Sequence, residues 1–156
     1  EDVDLYEIAV NCVNMLQISA EKHQVQISLS GERCILYANK NMMEELVYNL
    51  CDNAIRYNNT GGSVQVQVRD GQEQVELSVR DTGIGIPEKS QKRVFERFYR
   101  VDKSHSREIG GTGLGLAIAR NAVIMHRGSV KVHSEAGAGT TFTVRIPLIY
   151  TSGGIA

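Results

Sequence analysis

The sequence predicts an α/β two-layer sandwich: a mixed, mostly antiparallel sheet with three long helices on one face. Three segments carry apolar residues at helical spacing. About six shorter runs alternate apolar with polar residues, and most of them fall into hairpins. With 42% hydrophobic and 22% charged residues in 156, the composition suits one packed domain, here residues 1–150, followed by a frayed tail at 151–156.

The elements follow in order. From Asp4 to about Glu21, apolar residues recur at Leu5, Ile8, Ala9, Cys12, Val13 and Leu16, with Asp4 as N-cap and Glu7 three residues on. "VQISLS" and "RCILYA" read as two strands separated by the turn residues Ser30 and Gly31. Asn39 caps a second helix whose apolar arc is Met42, Met43, Leu46, Leu50 and Ala54, and "NNTGG" ends it. "SVQVQVRDGQEQVELSVRD" is a hairpin around Asp70-Gly71. Regularity breaks down from Thr82 to Gly113, a length that is usually functional or mobile in a small domain. A helix from about Gly113 to His126 follows, and the strands "SVKVHSE" and "TTFTVRIPL", joined by a Gly-rich turn, close the domain.

Bulk properties exclude several classes. A formal net charge of −1 gives no electrostatic case for nucleic acid or an anionic membrane surface. No apolar run is long enough to cross a bilayer and no signal peptide is present. The chain opens at Glu1 without Met, so a longer parent, with its own membrane anchor, is expected. Cys12, Cys34 and Cys51 lack CxxC spacing and read as small buried hydrophobes of a reducing compartment. His23, His105, His126 and His133 do not sit at metal spacing either.

Four segments carry candidate chemistry. On the second helix, Asn49, Asn53 and Arg56 form one polar stripe, with Asn53 inside the apolar arc. Asn carbonyl oxygens suit Mg²⁺ and the Arg suits phosphate, although two core asparagines bonded to backbone would look the same. In "DTGIGIP", Asp81 ends a strand and Gly83 and Gly85 alternate with apolar residues. An anchored carboxylate over such a floor fits a ring with an exocyclic amine such as adenine, and an ordinary Gly-rich turn is the alternative. "GGTGLGLAIAR" feeds a Gly-rich loop into a helix N-terminus, where phosphate is favoured, but it matches neither the dinucleotide fingerprint nor the Walker A loop. In "RVFERFYRVDKSHSREIG", Phe95 and Phe98 can anchor a lid carrying Arg97, Arg100, Lys103 and Arg107, and solvated surface is the reading for any one of those charges alone.

Taken together and in this order, "NLCDNAIRYN", "DTGIGIP", "FERFYRVD" and "GGTGLGLAI" resemble the four nucleotide-binding boxes of sensor histidine kinases, and "HRGSVKVHSEAGAGTTFTVRIPL" resembles the end of that catalytic domain. The likeness runs from about Val3 to Leu148. It implies a Bergerat-type ATP-binding sandwich. By the resemblance, Asn53 would hold Mg²⁺, Asn49 would support phosphates and metal, Arg56 would touch phosphate and Tyr57 would pack on the nucleotide. Asp81 would bond the adenine amine in a pocket shaped by Gly83, Gly85 and Ile86, with Thr140 or Thr141 at its border. A lid from about 88 to 111 would bring Arg97 and Arg100, the latter to the γ-phosphate. Gly111, Thr112, Gly113, Leu114, Gly115 and Leu116 would line the phosphates. Departures are few: Asn58 replaces the usual Ser or Thr, Thr82 the common Asn, and Arg127 the frequent Gly.

The reaction implied is transfer of the γ-phosphoryl group of ATP to a histidine on a separate dimerisation/acceptor domain upstream, and onward to the Asp of a response regulator receiver domain. No histidine here lies in the acceptor pattern, so the isolated chain is expected to be a monomer that does not phosphorylate itself. It would be a cytoplasmic domain without direct membrane contact. Two rival readings are an ATPase of the same fold, which would carry Glu at position 49 as base, and a degenerate module that binds a partner without transfer.

Overall fold

Asp4 organises the N-terminal corner. Its carboxylate accepts from the Tyr6 N–H at 3.0 Å as the N-cap of α1 (Leu5–Lys22), and from the Cys34 N–H, also at 3.0 Å. The second bond brings β3 (Ile35–Tyr37), within the predicted strand "RCILYA", antiparallel to β1 (Asp2–Asp4), a three-residue strand outside the predicted set. The computed structural model describes residues 1–91, 93–95 and 115–148.

The main sheet has five strands in the order β2-β4-β5-β7-β6. The hairpin of β4 (Ser63–Asp70) and β5 (Gln74–Asp81) forms around Asp70-Gly71 with Val66 opposite Val79. Next, β7 (Gly139–Pro147) pairs antiparallel with both β5 and the edge strand β6 (Ser129–Glu135). The other edge, β2 (Gln26–Gly31), runs parallel to β4. The two strands read on either side of Ser30-Gly31 are therefore separated into different sheets. Local turn chemistry is overridden here by the tertiary bonds that Asp4 makes.

Inward side chains of the sheet include Val66, Val79, Phe142 and Val144, all buried, while Gln65, Arg80, Thr141 and Arg145 belong to the opposite face. Among the described residues the long helices pack on the first face, with α2 (Lys40–Arg56) between α1 and α4 (Gly115–Met125). A further, short helix, α3 (Glu88–Gln91), opens the irregular segment.

Being flanked on both sides, α2 buries a wide face: Met43, Leu46, Val47, Leu50, Cys51, Ala54 and Ile55. The Met, Leu, Val and Ile side chains of this set each contribute about 1.5–3 kcal/mol relative to exposure. That face is rotated from the predicted arc. Met42 and Asn53 fall beside the core with Asn49 and Arg56, all four half-buried. A helix buried only against the sheet would have kept the narrower arc.

The far end of α4 is fastened to the start of α2. His126 Nε2 accepts the backbone N–H of Asn39, the N-cap of α2, at 3.0 Å, and Nδ1 bonds the Ala122 carbonyl at 2.7 Å. Arg127 follows with φ 61°, and the Gly128 N–H returns to the Val123 carbonyl at 2.9 Å, closing the helix.

Candidate functional site

Asp81 ends β5 with only 7% of its surface exposed. Its Oδ1 accepts two backbone N–H groups, from Gly83 at 2.9 Å and from Thr140 at 3.2 Å. Oδ2 has no partner among the described residues. Burial raises the carboxyl to about 6, against the opposing pull of the Gly83 and Thr140 hydrogen bonds. A buried carboxylate with one oxygen fixed and the other open is built to accept a hydrogen bond from something else.

The loop after Asp81 is fitted closely to its neighbours. A side chain at Gly83 would run into the Tyr57 carbonyl and lie 3.0 Å from Asp81 Oδ1. Gly85 has φ +75° and lies against the Glu135 carbonyl. Tyr57, the C-cap of α2, accepts the Ile84 N–H at 3.2 Å. Ile86 is buried, and its N–H donates to Ser134 Oγ at 2.7 Å.

Thr140 is buried beside Asp81, its register partner across β5 and β7. Thr141 pairs with Arg80 and belongs to the outer face, so the structure separates the two threonines proposed for the adenine border and brings only Thr140 to Asp81. Strand alternation carries that choice, because Phe142 and Val144 already face inward.

The two asparagines lie on α2, within about two turns of its C-cap Tyr57. Asn49 donates its amide to the Glu45 carbonyl at 2.7 Å, and its Oδ1 would lie 3.0 Å from a Cβ placed on Gly115, the first residue of α4. Asn53 makes no side-chain hydrogen bond among the described residues. Arg56, expected to meet phosphate, has its Nε held at 2.8 Å by the Asp52 carboxylate one turn before it. Leu116 is half-buried and packs on the core. Among the described residues no three His, Cys, Asp or Glu side chains gather as a metal cage. Neutral asparagine oxygens fit a divalent ion that takes its other ligands from phosphate and water.

Two of the sequence departures meet each other. Thr82 Oγ1 donates to Asn58 Oδ1 at 3.3 Å, and the same Thr82 Oγ1 accepts from the Ser63 N–H at 2.9 Å. An amide and a hydroxyl are both present, with their places exchanged relative to the pattern the resemblance implies.

The sequence reading missed Ser134 and Gln91. Ser134 Oγ bonds Ile86, Gly139 and Thr140, and the Gln91 amide bonds the carbonyls of Ile86 and Ser134. Ser134 sits at an inward position of β6, the parity that Val130 and Val132 set, and that parity was the available signal. Arg97, Arg100, Gly111, Thr112, Gly113 and Leu114, most of the 88–111 lid, and the tail at 151–156 lie outside the described residues. Phe95 does anchor the segment's start, edge-on to Phe142 with ring centroids 5.8 Å apart. A separate acidic cleft at the β4–β5 turn is lined by Glu32, Asp70 and Glu76 with Arg69, and holds none of the site residues.

Residues 38–149 match the family described as histidine kinase-, DNA gyrase B-, and HSP90-like ATPase. Sensor histidine kinase RppB of Synechocystis is 40% identical over 134 residues, covering 85% of this chain and 30% of RppB. Sensor-like histidine kinase SenX3 of Mycolicibacterium smegmatis is 39% identical over 148 residues, 93% of this chain and 38% of SenX3. The chain thus spans about a third of the length of these curated relatives. The solved mycobacterial sensor histidine kinase MprB superposes with a TM-score of 0.83 at 27% identity, over 94% of this chain and 97% of that one.

Proposed function

The chain belongs to the histidine kinase-, DNA gyrase B-, and HSP90-like ATPase family, and on that premise we propose that it binds Mg·ATP and passes the γ-phosphoryl group to a histidine on a separate acceptor domain. The observation that carries the reading is Asp81, a buried carboxylate whose Oδ1 is held by two backbone N–H groups while Oδ2 has no partner among the described residues. That oxygen would accept the adenine amine. Gly83 and Gly85 would let the base approach the backbone, with Ile86 and Thr140 beside it.

The phosphates would lie between α2 and the start of α4, near Asn49 and Gly115. Asn53, with Asn49 beside it, would hold Mg²⁺, which supplies charge neutralisation to the transferring phosphoryl group. Arg100, Arg97 and the glycine-rich residues 111–115 would complete the phosphate shell. The protein's own work in such a transfer is positioning and electrostatic support rather than covalent chemistry. Position 49 is Asn, which cannot accept a proton from water, so hydrolysis should be slow and the phosphoryl group available for transfer. The partners would be the dimerisation/acceptor domain of the parent, which is membrane-anchored in this reading, and a response regulator receiver domain.

Calorimetric titration with ATP tests the central assignment. Asp81→Asn should bind about a hundredfold more weakly than wild type, because the open acceptor becomes an amide. Equal affinities would remove the base-reading role of Asp81.

A further inference from the structure

A serine with no assigned role sits at the centre of the best-connected hydrogen-bond cluster near Asp81. Ser134 Oγ is within 3.0 Å of three groups from two other segments: the Ile86 N–H at 2.7 Å, Thr140 Oγ1 at 2.8 Å and the Gly139 carbonyl at 3.0 Å. A hydroxyl has one proton and two lone pairs, so donation to Gly139 and acceptance from Ile86 and Thr140 uses all of them. Thr140 in turn gives its backbone N–H to Asp81 Oδ1. The Gln91 amide closes the cluster from α3, donating to the Ile86 carbonyl at 3.0 Å and the Ser134 carbonyl at 3.1 Å. Ser134 thus ties the loop 81–86 to the β6–β7 turn directly at Ile86 and, at the Asp81 end, through Thr140.

We propose that Ser134 is a positioning residue for base recognition: it holds the loop and Thr140 so that the open oxygen of Asp81 keeps the direction in which it reads the purine amine. This rests on the nucleotide reading above. Without the hydroxyl, the Ile86 N–H and the Thr140 hydroxyl lose their shared partner. Buried groups left unpaired seek new partners, and the loop carrying Asp81 is what can shift to supply them. The role is geometric, because Ser134 faces Thr140 and Ile86 and not the open oxygen itself.

The test measures affinity for ATP and for purine riboside triphosphate, which lacks the amine. Wild type should prefer ATP strongly. Ser134→Ala should weaken ATP roughly tenfold and leave the amine-free triphosphate within about twofold, so that discrimination collapses. Ser134→Thr keeps the hydroxyl and should restore the preference. The proposal is overturned if Ser134→Ala keeps the wild-type ratio, whether both ligands bind as before or both weaken together as general loosening would require. It is also overturned if Ser134→Thr behaves like Ser134→Ala. If wild type itself binds both triphosphates equally, the base reading at Asp81 fails, and the positioning role falls with it for that separate reason.

Discussion

The two halves of the candidate site are built in opposite ways. Around Asp81 the protein satisfies almost everything internally: Gly83, Thr140, Ser134, Ile86 and Gln91 form a closed set of hydrogen bonds that leaves one carboxylate oxygen open. Around Asn49 and Asn53 the side chains are half-buried, and among the described residues the Asn53 side chain has no hydrogen bond and the Asn49 side chain bonds only through its nitrogen. The difference follows from what each half would bind. A flat base with fixed donors rewards a rigid, prepaid pocket, whereas a metal–phosphate unit brings its own strong ligands and needs oxygens left free.

Substitution at Asn53 should separate the halves most sharply. Asn53→Ala is expected to slow phosphoryl transfer to an added acceptor domain by about a hundredfold while changing adenosine affinity less than about threefold. Equal losses in both assays would show that the halves are not independent.

Acid should act on the base half alone. The Asp81 carboxyl is raised from 3.8 to about 6, so below pH 6 it takes a proton and Oδ2 becomes a donor. ATP affinity should therefore fall about tenfold between pH 7 and pH 5 in wild type, and stay flat over that range in Asp81→Asn. The sign for stability is opposite. The folded state binds this proton more tightly than the unfolded chain, so the nucleotide-free domain loses stability as pH rises from about 4 to about 6. Asp81→Asn should accordingly raise the melting temperature at pH 7, and a lower one would contradict the assigned burial cost.

The Thr82–Asn58 pair stands at the seam. Thr82→Ala removes a hydroxyl that bonds both Asn58 and the Ser63 N–H, and should cost about 1 kcal/mol in urea melts. The exchanged double variant Asn58→Thr with Thr82→Asn should recover most of it. Independent, additive losses would mean that the two positions are not coupled.

Arg127 belongs to neither half and sets the baseline. At φ 61°, Arg127→Gly should change stability by about +0.5 kcal/mol and leave nucleotide affinity unmoved.

Legibility in the sequence tracked locality. The β4–β5 hairpin and the caps Asp4 and Asn39 rest on residues within a few positions, and their signals are plain. β1 has three residues and pairs with a strand about thirty residues on, helped by the bond from Cys34 to Asp4, and the parallel β2–β4 pairing spans a whole helix, so neither leaves a local mark. The same holds for the site. Asp81 and its glycines form a contiguous motif, but Ser134 matters through Ile86, 48 residues away. The Asp52–Arg56 pair was readable from its i,i+4 spacing, yet phosphate chemistry gave Arg56 a more attractive role.

Both halves are touched by α2, through Asn49 at Gly115 and through the Tyr57 carbonyl at Ile84. A helix advances about 1.5 Å and turns about 100° per residue, so this element acts as a ruler between them. One residue inserted between Asn49 and Tyr57 would swing one contact a quarter-turn away from the other. The same insertion at Thr60, in the exposed turn beyond the helix, would leave that gauge unaltered. Over evolutionary time this interval should keep a constant length even where its letters drift.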